Sequence, residues 1–268
     1  IFVKHKYPGF VFLICFLFAA PVFPDHQIRV SVLSIFESKA AIIQDKNNIW
    51  RISVSQNGIL VNGKKETLFT QDFPSGFSAE IPGKIKRNYI GSLEIRNQDN
   101  LLFFINTVKL NNYLESVIVS EMGDTYLEAL KAQAVISRTL ALKAVSENPS
   151  VLFHLTDLTN SQVYKGKMKE NKKVRQAVKE TDHLVLKLDQ KLPQVFFSST
   201  CGGKTTTPGQ VWGKEKAGYQ TVECQQNKQI LCSMSPHFSW HWRAKISELE
   251  KIFRVSAIQS IQITDRDF

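Results

Sequence analysis

From residue 27 to 108, apolar and polar positions alternate in short stretches, IRVSVLSI, IWRISVS, GILVNG and LLFFINTV, separated by Asn, Gly, Asp and Pro. Alternation with a period of two puts successive side chains on opposite faces of an extended chain, so this part predicts β-strands joined by tight turns. The period then changes. In NNYLESVIVSEM, residues Leu114, Val117, Ile118 and Glu121 recur at the spacing of one helix face. The next stretch, TYLEALKAQAVISRTLALKAVSE, predicts a second helix to about Glu147, ended by Asn148 and Pro149. Thr125 and Glu128 read as a capping box that opens it, and Glu115 fills the equivalent place after Asn112. Further on, the pattern gives a short helix near Lys172 to Thr181 and a hairpin through HLVLKLDQKLPQVFFSS. An alternating SWHWRAKIS follows, then a strand from Ile258 leading into a turn. Strands, then helices, then strands predict an α+β protein, a mixed β-sheet scaffold with a central pair of helices.

Glu121 occupies the next slot of an otherwise apolar stripe. A carboxyl against a hydrophobic wall loses hydration, which favours its neutral, proton-donating form and makes Glu121 the general-acid candidate of the chain. The alternative is a stripe that has simply ended, with Glu121 solvated at a helix terminus. On the alanine-rich second helix, Lys131 and Arg138 project from nearly the same face. They either pair with carboxylates or line a groove for an anionic or polar ligand.

EMGDTYLEALKAQAVISRTLALKA resembles the signature segment of the stage II sporulation protein D family (SpoIID/LytB), from which it departs at Gly123 and Tyr126, where the family usually has Pro and Trp. LNNYLESVI, DLTNSQVYKG, FFSSTCGGKT and VW appear in the family's order, together spanning roughly residues 108 to 242. The resemblance implies a peptidoglycan lytic transglycosylase that cleaves the MurNAc–GlcNAc bond of glycan strands stripped of stem peptides, leaving 1,6-anhydro-MurNAc ends. It puts the catalytic glutamate at Glu121 and family elements at Lys131, Gln133 and Arg138. One carboxyl suffices for that reaction, because the substrate's own C6 hydroxyl is the nucleophile. In DLTNSQVYKG, the polar side chains of Asp157, Thr159, Ser161, Gln162 and Tyr164 suit sugar hydroxyls and acetamido groups, or form a plain turn. The loop with Ser198, Ser199, Gly202, Gly203 and Thr205 lines the cleft by resemblance, whereas its pattern alone reads as a hairpin turn. Trp212 stacks on a sugar face or belongs to the core. A second reading attached to the family is a non-catalytic wall-binding enhancer of an N-acetylmuramoyl-L-alanine amidase.

Composition narrows the partners. The formal charge is +10 and 43% of residues are hydrophobic, ample material for a core. A basic balance favours anionic cell-wall polymers or lipid headgroups, and much of it is dispersed solubilising charge. Nucleic acid is not expected, since no nucleic-acid motif is present. KHK followed by FVFLICFLFAA reads as a secretory signal or short membrane anchor over residues 1–24, so the protein is expected to be exported, with membrane contact through that segment alone. The β-rich part covers 25–108 and the SpoIID-like core 109–268. The start at Ile1 reads as that of a fragment, and the end is expected to be truncated. Cys15 falls in the signal, and two of Cys201, Cys224 and Cys232 are expected to pair. No cofactor is expected. Some relatives bind zinc through Cys and His near DLTNSQVY, where this chain keeps His154 but has Thr and Ser in place of the cysteines. A different set, the three cysteines with His237, has ligand types that zinc accepts.

Overall fold

A computed structural model describes residues 26–262. The proposed signal segment and the last six residues lie outside that range. Two compact units divide the chain, residues 1–195 and 196–268.

The first unit is built on a nine-stranded sheet. Its strands are β1 (Gln27–Val32), β2 (Ala40–Gln44), β3 (Ile49–Ser55), β4 (Gly58–Val61), β5 (Lys64–Glu66), β6 (Leu68–Ile81), β7 (Ile85–Gln98), β8 (Leu101–Lys109) and the short β9 (Leu155–Thr156). They lie in the order β5-β4-β3-β2-β6-β7-β8-β1-β9. All neighbours are antiparallel except β1 and β9, so the sheet is mixed. The alternating stretches become strands because their apolar positions share one buried face, as Ile28, Val30 and Val32 do in β1. Two-residue turns set the register. Asn62-Gly63 and Asp99-Asn100 both take positive φ at the two turn positions, the backbone twist that joins adjacent antiparallel strands.

Three helices complete this unit: α1 (Leu110–Met122), α2 (Leu127–Glu147) and α3 (Lys172–Glu180). α1 follows β8 without a loop and packs on β1 and β8, while α2 and α3 pack against it and against each other. Rings link sheet to helix in a continuous series. Phe73, Phe77 and Tyr89 stand 4.4 and 5.5 Å apart, Tyr164 is 6.2 Å from Tyr89, and Tyr113 on α1 is 5.2 Å from Tyr164.

Both expected caps are absent. α2 begins at Leu127 with Tyr126 as its N-cap, and no side chain caps it. Thr125 therefore lies one residue too early to receive the N3 amide, and Glu128 turns to Lys131 instead. α1 begins at Leu110, which puts Asn112 inside the helix, and Glu115 faces Arg175 at 3.8 Å. The expected hairpin after His183 reduces to one bridge, Leu188 with Lys191, and no strand ladder forms through Phe196 and Phe197.

The second unit contains α4 (Pro208–Trp212), the two-stranded β10 (Gln225–Gln226) and β11 (Gln229–Ile230), and α5 (Ile246–Phe253). The alternating SWHWRAKIS forms no strand, because no neighbouring strand among the described residues offers it a ladder; its last two residues enter α5. The described part of the C-terminal stretch, 258–262, is likewise irregular.

Candidate functional site

Leu114, Val117 and Ile118 are fully buried on α1, while Glu121, next on the same stripe, is half-buried at the last turn of the helix. The helix stops one residue later, where Gly123 takes a positive φ that a side chain would resist. Glu121 Oε1 accepts a hydrogen bond from the Val163 amide at 2.8 Å, and no other hydrogen bond to this carboxylate forms among the described residues. The stripe has not ended in bulk water.

The donor belongs to DLTNSQVYKG, which runs back along α1 as a strap. Val163 meets Glu121, and the Lys165 amide donates to Ser116 Oγ at 3.3 Å. The Lys167 amide reaches the Asn88 carbonyl at 2.7 Å. Gly166 makes that last approach possible, since a Cβ there would lie 2.2 Å from the Asn88 oxygen. Most of the strap's polar side chains face inward rather than toward an open groove. Asp157 pairs with Arg87 at 3.0 Å and accepts the Leu33 amide. Tyr164 donates to Asn106 Oδ1 at 2.7 Å, and fully buried Gln162 accepts from the Tyr113 hydroxyl at 3.1 Å. Burial, followed by the negative charge of Glu121, raises the Tyr113 pKa and keeps its hydroxyl a donor. Gln162 Nε2 has no partner among the described residues.

Lys131 and Arg138 on α2 part company. Lys131 forms ion pairs with Glu128 at 2.8 Å and Glu180 at 2.7 Å, the carboxylate pairing foreseen as one of its two readings. Arg138 is 1% exposed and forms no ion pair among the described residues; it donates instead to the carbonyls of Val178, Thr181 and Leu184 at the end of α3 and in the turn after it. Those carbonyls lie at the negative pole of that helix, and the Thr181 carbonyl also accepts the Leu184 amide at 3.0 Å, so the guanidinium adds to its C-terminal cap. Burial lowers the Arg138 pKa. Gln133 is buried and donates to Ser137 Oγ at 3.2 Å.

An open cleft of about 370 Å³ lies on another face of α1, lined by Asn112, Glu115, Ser116 and Val119 and by the 166–171 segment. Glu121 is not part of it. Burial raises the pKa of Glu115 there, against the pull of Arg175.

The remaining candidates lie in the second unit. Ser198 donates to the Thr200 carbonyl, Ser199 is exposed, and Thr205 Oγ1 receives the Val222 amide at 2.8 Å. Gly202 and Gly203 both take positive φ. Trp212 is not a core residue: it is exposed and lies against the Phe196 ring at 4.7 Å. No disulfide forms among the described residues. Cys201, Cys224 and Cys232 are free thiols, with Cys201 and Cys232 Sγ 3.6 Å apart. All three sulfurs lie within 4.8 Å of one another, and His237 does not join them. Zinc near DLTNSQVY does not fit either, because both ring nitrogens of His154 face Arg29 at 3.1 and 3.3 Å.

Pattern reasoning missed Val163, which acts through its backbone amide and carries no side-chain signal, and Tyr113, whose place beside Val117 on α1 could have marked it.

Residues 98–188 match the family described as Stage II sporulation protein. An uncharacterised protein of Brachyspira hyodysenteriae is 36% identical over 127 residues, 47% of this chain and 34% of the relative. The amidase enhancer of Bacillus subtilis is 36% identical over 100 residues, 37% of this chain and 13% of that protein. The chain thus spans about a third or less of these curated relatives. No solved structure matches it. The matched segment carries α1 with Glu121, α2, the strap and α3, so residues 98–188 form a SpoIID domain, similar to a family associated with cell-wall function.

Proposed function

We propose that the protein is a lytic transglycosylase that cleaves the MurNAc–GlcNAc bond of denuded peptidoglycan strands, with Glu121 as its single acid and base. The observation that carries this reading is the state of that carboxylate: half-buried at the end of a sealed apolar stripe, held at Oε1 by one backbone donor and otherwise unengaged among the described residues. The Val163 amide fixes its orientation and leaves Oε2 for proton transfer. In the reaction, the carboxylic acid gives its proton to the bridging oxygen as the C1–O bond breaks. The C6 hydroxyl of the same muramic acid then forms the new C1–O bond, and its proton returns to Glu121. Atoms balance without water or a second carboxylate, unlike hydrolysis by paired carboxylates. The glycan substrate requires export, for which the segment 1–24 is the proposed signal.

The test is digestion of denuded glycan strands with mass spectrometry of the products. Wild-type protein is expected to release anhydro-muramoyl ends, and Glu121→Gln to slow their release by about 10²–10⁴-fold. Products unchanged by that substitution would overturn the assignment. The relative named amidase enhancer supports a second reading, in which the chain binds glycan and stimulates a separate amidase. Retained glycan binding with no products from wild-type protein favours that reading.

A further inference from the structure

The second unit has almost no interior. Among its described residues, 196–262, Pro208 alone is buried, while Trp212, Trp240, Trp242 and Phe253 are all exposed. Burial alone gives these residues little to hold them, and a covalent or metal staple is the usual supplement to so small a core.

The three cysteines stand where such a staple would act. The loop carrying Cys201 turns at Gly202 and Gly203 and is then pinned to a second segment. The Cys224 amide donates to the Gly203 carbonyl at 2.8 Å, and the Thr205 amide to the Val222 carbonyl at 2.9 Å. The β10–β11 hairpin returns the chain, with the Leu231 amide on the Cys224 carbonyl at 2.9 Å, and the following helical turn presents Cys232. Backbone hydrogen bonds from both segments thus bring three Sγ atoms within 4.8 Å of one another. Tetrahedral zinc with Zn–S bonds of about 2.3 Å sets its sulfurs roughly 3.8 Å apart. The Cys201 to Cys232 separation of 3.6 Å is already close to that edge. A disulfide would use two of the three sulfurs and give no reason for the third.

We propose that Cys201, Cys224 and Cys232 bind one zinc ion as three thiolates, with water or another exchangeable ligand in the fourth position, and that this ion staples the second unit. Each thiol releases its proton on ligation. No His, Asp, Glu or further Cys completes the set among the described residues, so the site differs from a closed four-ligand centre. The paired glycines then serve to fold Cys201 back onto Cys224.

The test uses the full chain, purified under reducing conditions without chelator, and measures bound zinc by elemental analysis together with thiol reactivity toward Ellman's reagent. One zinc per chain is expected, with the three thiols protected until a chelator is added. Cys201→Ser, Cys224→Ser and Cys232→Ser are each expected to lose the retained zinc, and His237→Ala to keep it. Because a serine variant can fail to fold, cobalt is also added to the metal-stripped wild type, where a thiolate-to-cobalt charge-transfer band is expected. Chelation should further expose residues 196–262 to proteolysis while sparing 26–195. Protein without zinc whose thiols all react freely, no cobalt band, or two thiols joined as a disulfide with no metal bound would each overturn the proposal. Unchanged proteolysis on chelation would remove the stapling role.

Discussion

The two units of this chain draw on similar residue types and are held by different means. Residues 26–195 enclose a core that runs without a break from Ile28 on β1 to Val178 on α3, and polar groups inside it, such as Asn106, Gln133 and Thr139, have hydrogen-bond partners. Residues 196–262 have three tryptophans and several phenylalanines and leave nearly all of them exposed. An apolar side chain becomes core only when a second element covers it. The long β6–β7 hairpin and α1 supply that cover in the first unit, whereas the second has short elements and a cluster of thiols. The contrast is measurable, because Trp212, Trp240 and Trp242 make tryptophan fluorescence report mainly on the second unit, while far-UV circular dichroism reports mainly on the first.

The largest effect is expected at Arg138. Its removal takes the guanidinium donor from the carbonyls of Val178, Thr181 and Leu184 and opens a cavity under α3. Arg138→Ala should therefore destabilise the first unit by about 3–5 kcal/mol, from the cavity and the buried acceptors that lose a charged donor. Arg138→Lys should recover part of this, since one ammonium can reach some of the carbonyls but lacks the planar fork. Denaturation followed by circular dichroism should shift to lower denaturant in both variants. If the tryptophan signal shifted equally, the two units would unfold as one and the comparison would fail.

Asp157 comes next. It is buried beside Arg87 and also accepts the Leu33 amide, so Asp157→Ala should cost about 3 kcal/mol by leaving both donors unanswered. Its pKa is raised, with burial outweighing the Leu33 amide and Arg87. The folded protein therefore binds this proton more tightly than the unfolded chain does. That contribution is fully present below the unfolded pKa and is lost as pH rises through the folded one. Wild-type stability should accordingly fall relative to Asp157→Asn as pH climbs through the carboxylate range. A difference that grew with pH would show the ion pair prevailing over desolvation.

These residues also show how far the pattern of the chain could be read. Strands β1, β3, β4 and β8, the buried stripe of α1 and the position of α3 follow from the pattern, because burial on one face imposes a period on the residues themselves. The caps did not follow. Thr125 and Glu128 have the right spacing, but a cap depends on the backbone angles of one residue, and here Tyr126 holds that place. The inward direction of Asp157, Gln162 and Tyr164 was equally hidden, because a polar run looks alike whether its partners are water or Arg87, Tyr113 and Asn106. SWHWRAKIS alternates as a strand would, yet alternation cannot supply a neighbour. The Val163 amide that holds Glu121 belongs to the backbone and leaves no mark on residue identity.

The smallest effect is expected at Lys131, one turn pair before Arg138 on the same helix and indistinguishable from it by spacing. Its Nζ lies between Glu128 and Glu180, in reach of solvent, so both carboxylates regain water when the ammonium is removed. The hydrogen bonds it donates to Glu128, then to Glu180, raise its pKa, so any stabilisation is present at neutral pH and is lost only as pH rises through the lysine range. Lys131→Ala should leave both unfolding signals within error, whereas Arg138→Ala moves one of them far. Measured alongside glycan digestion, the same variant separates the two readings of this cation. Lost cleavage with unchanged unfolding would assign the ammonium to the substrate, and unchanged cleavage would leave it as a surface tie between α2 and α3.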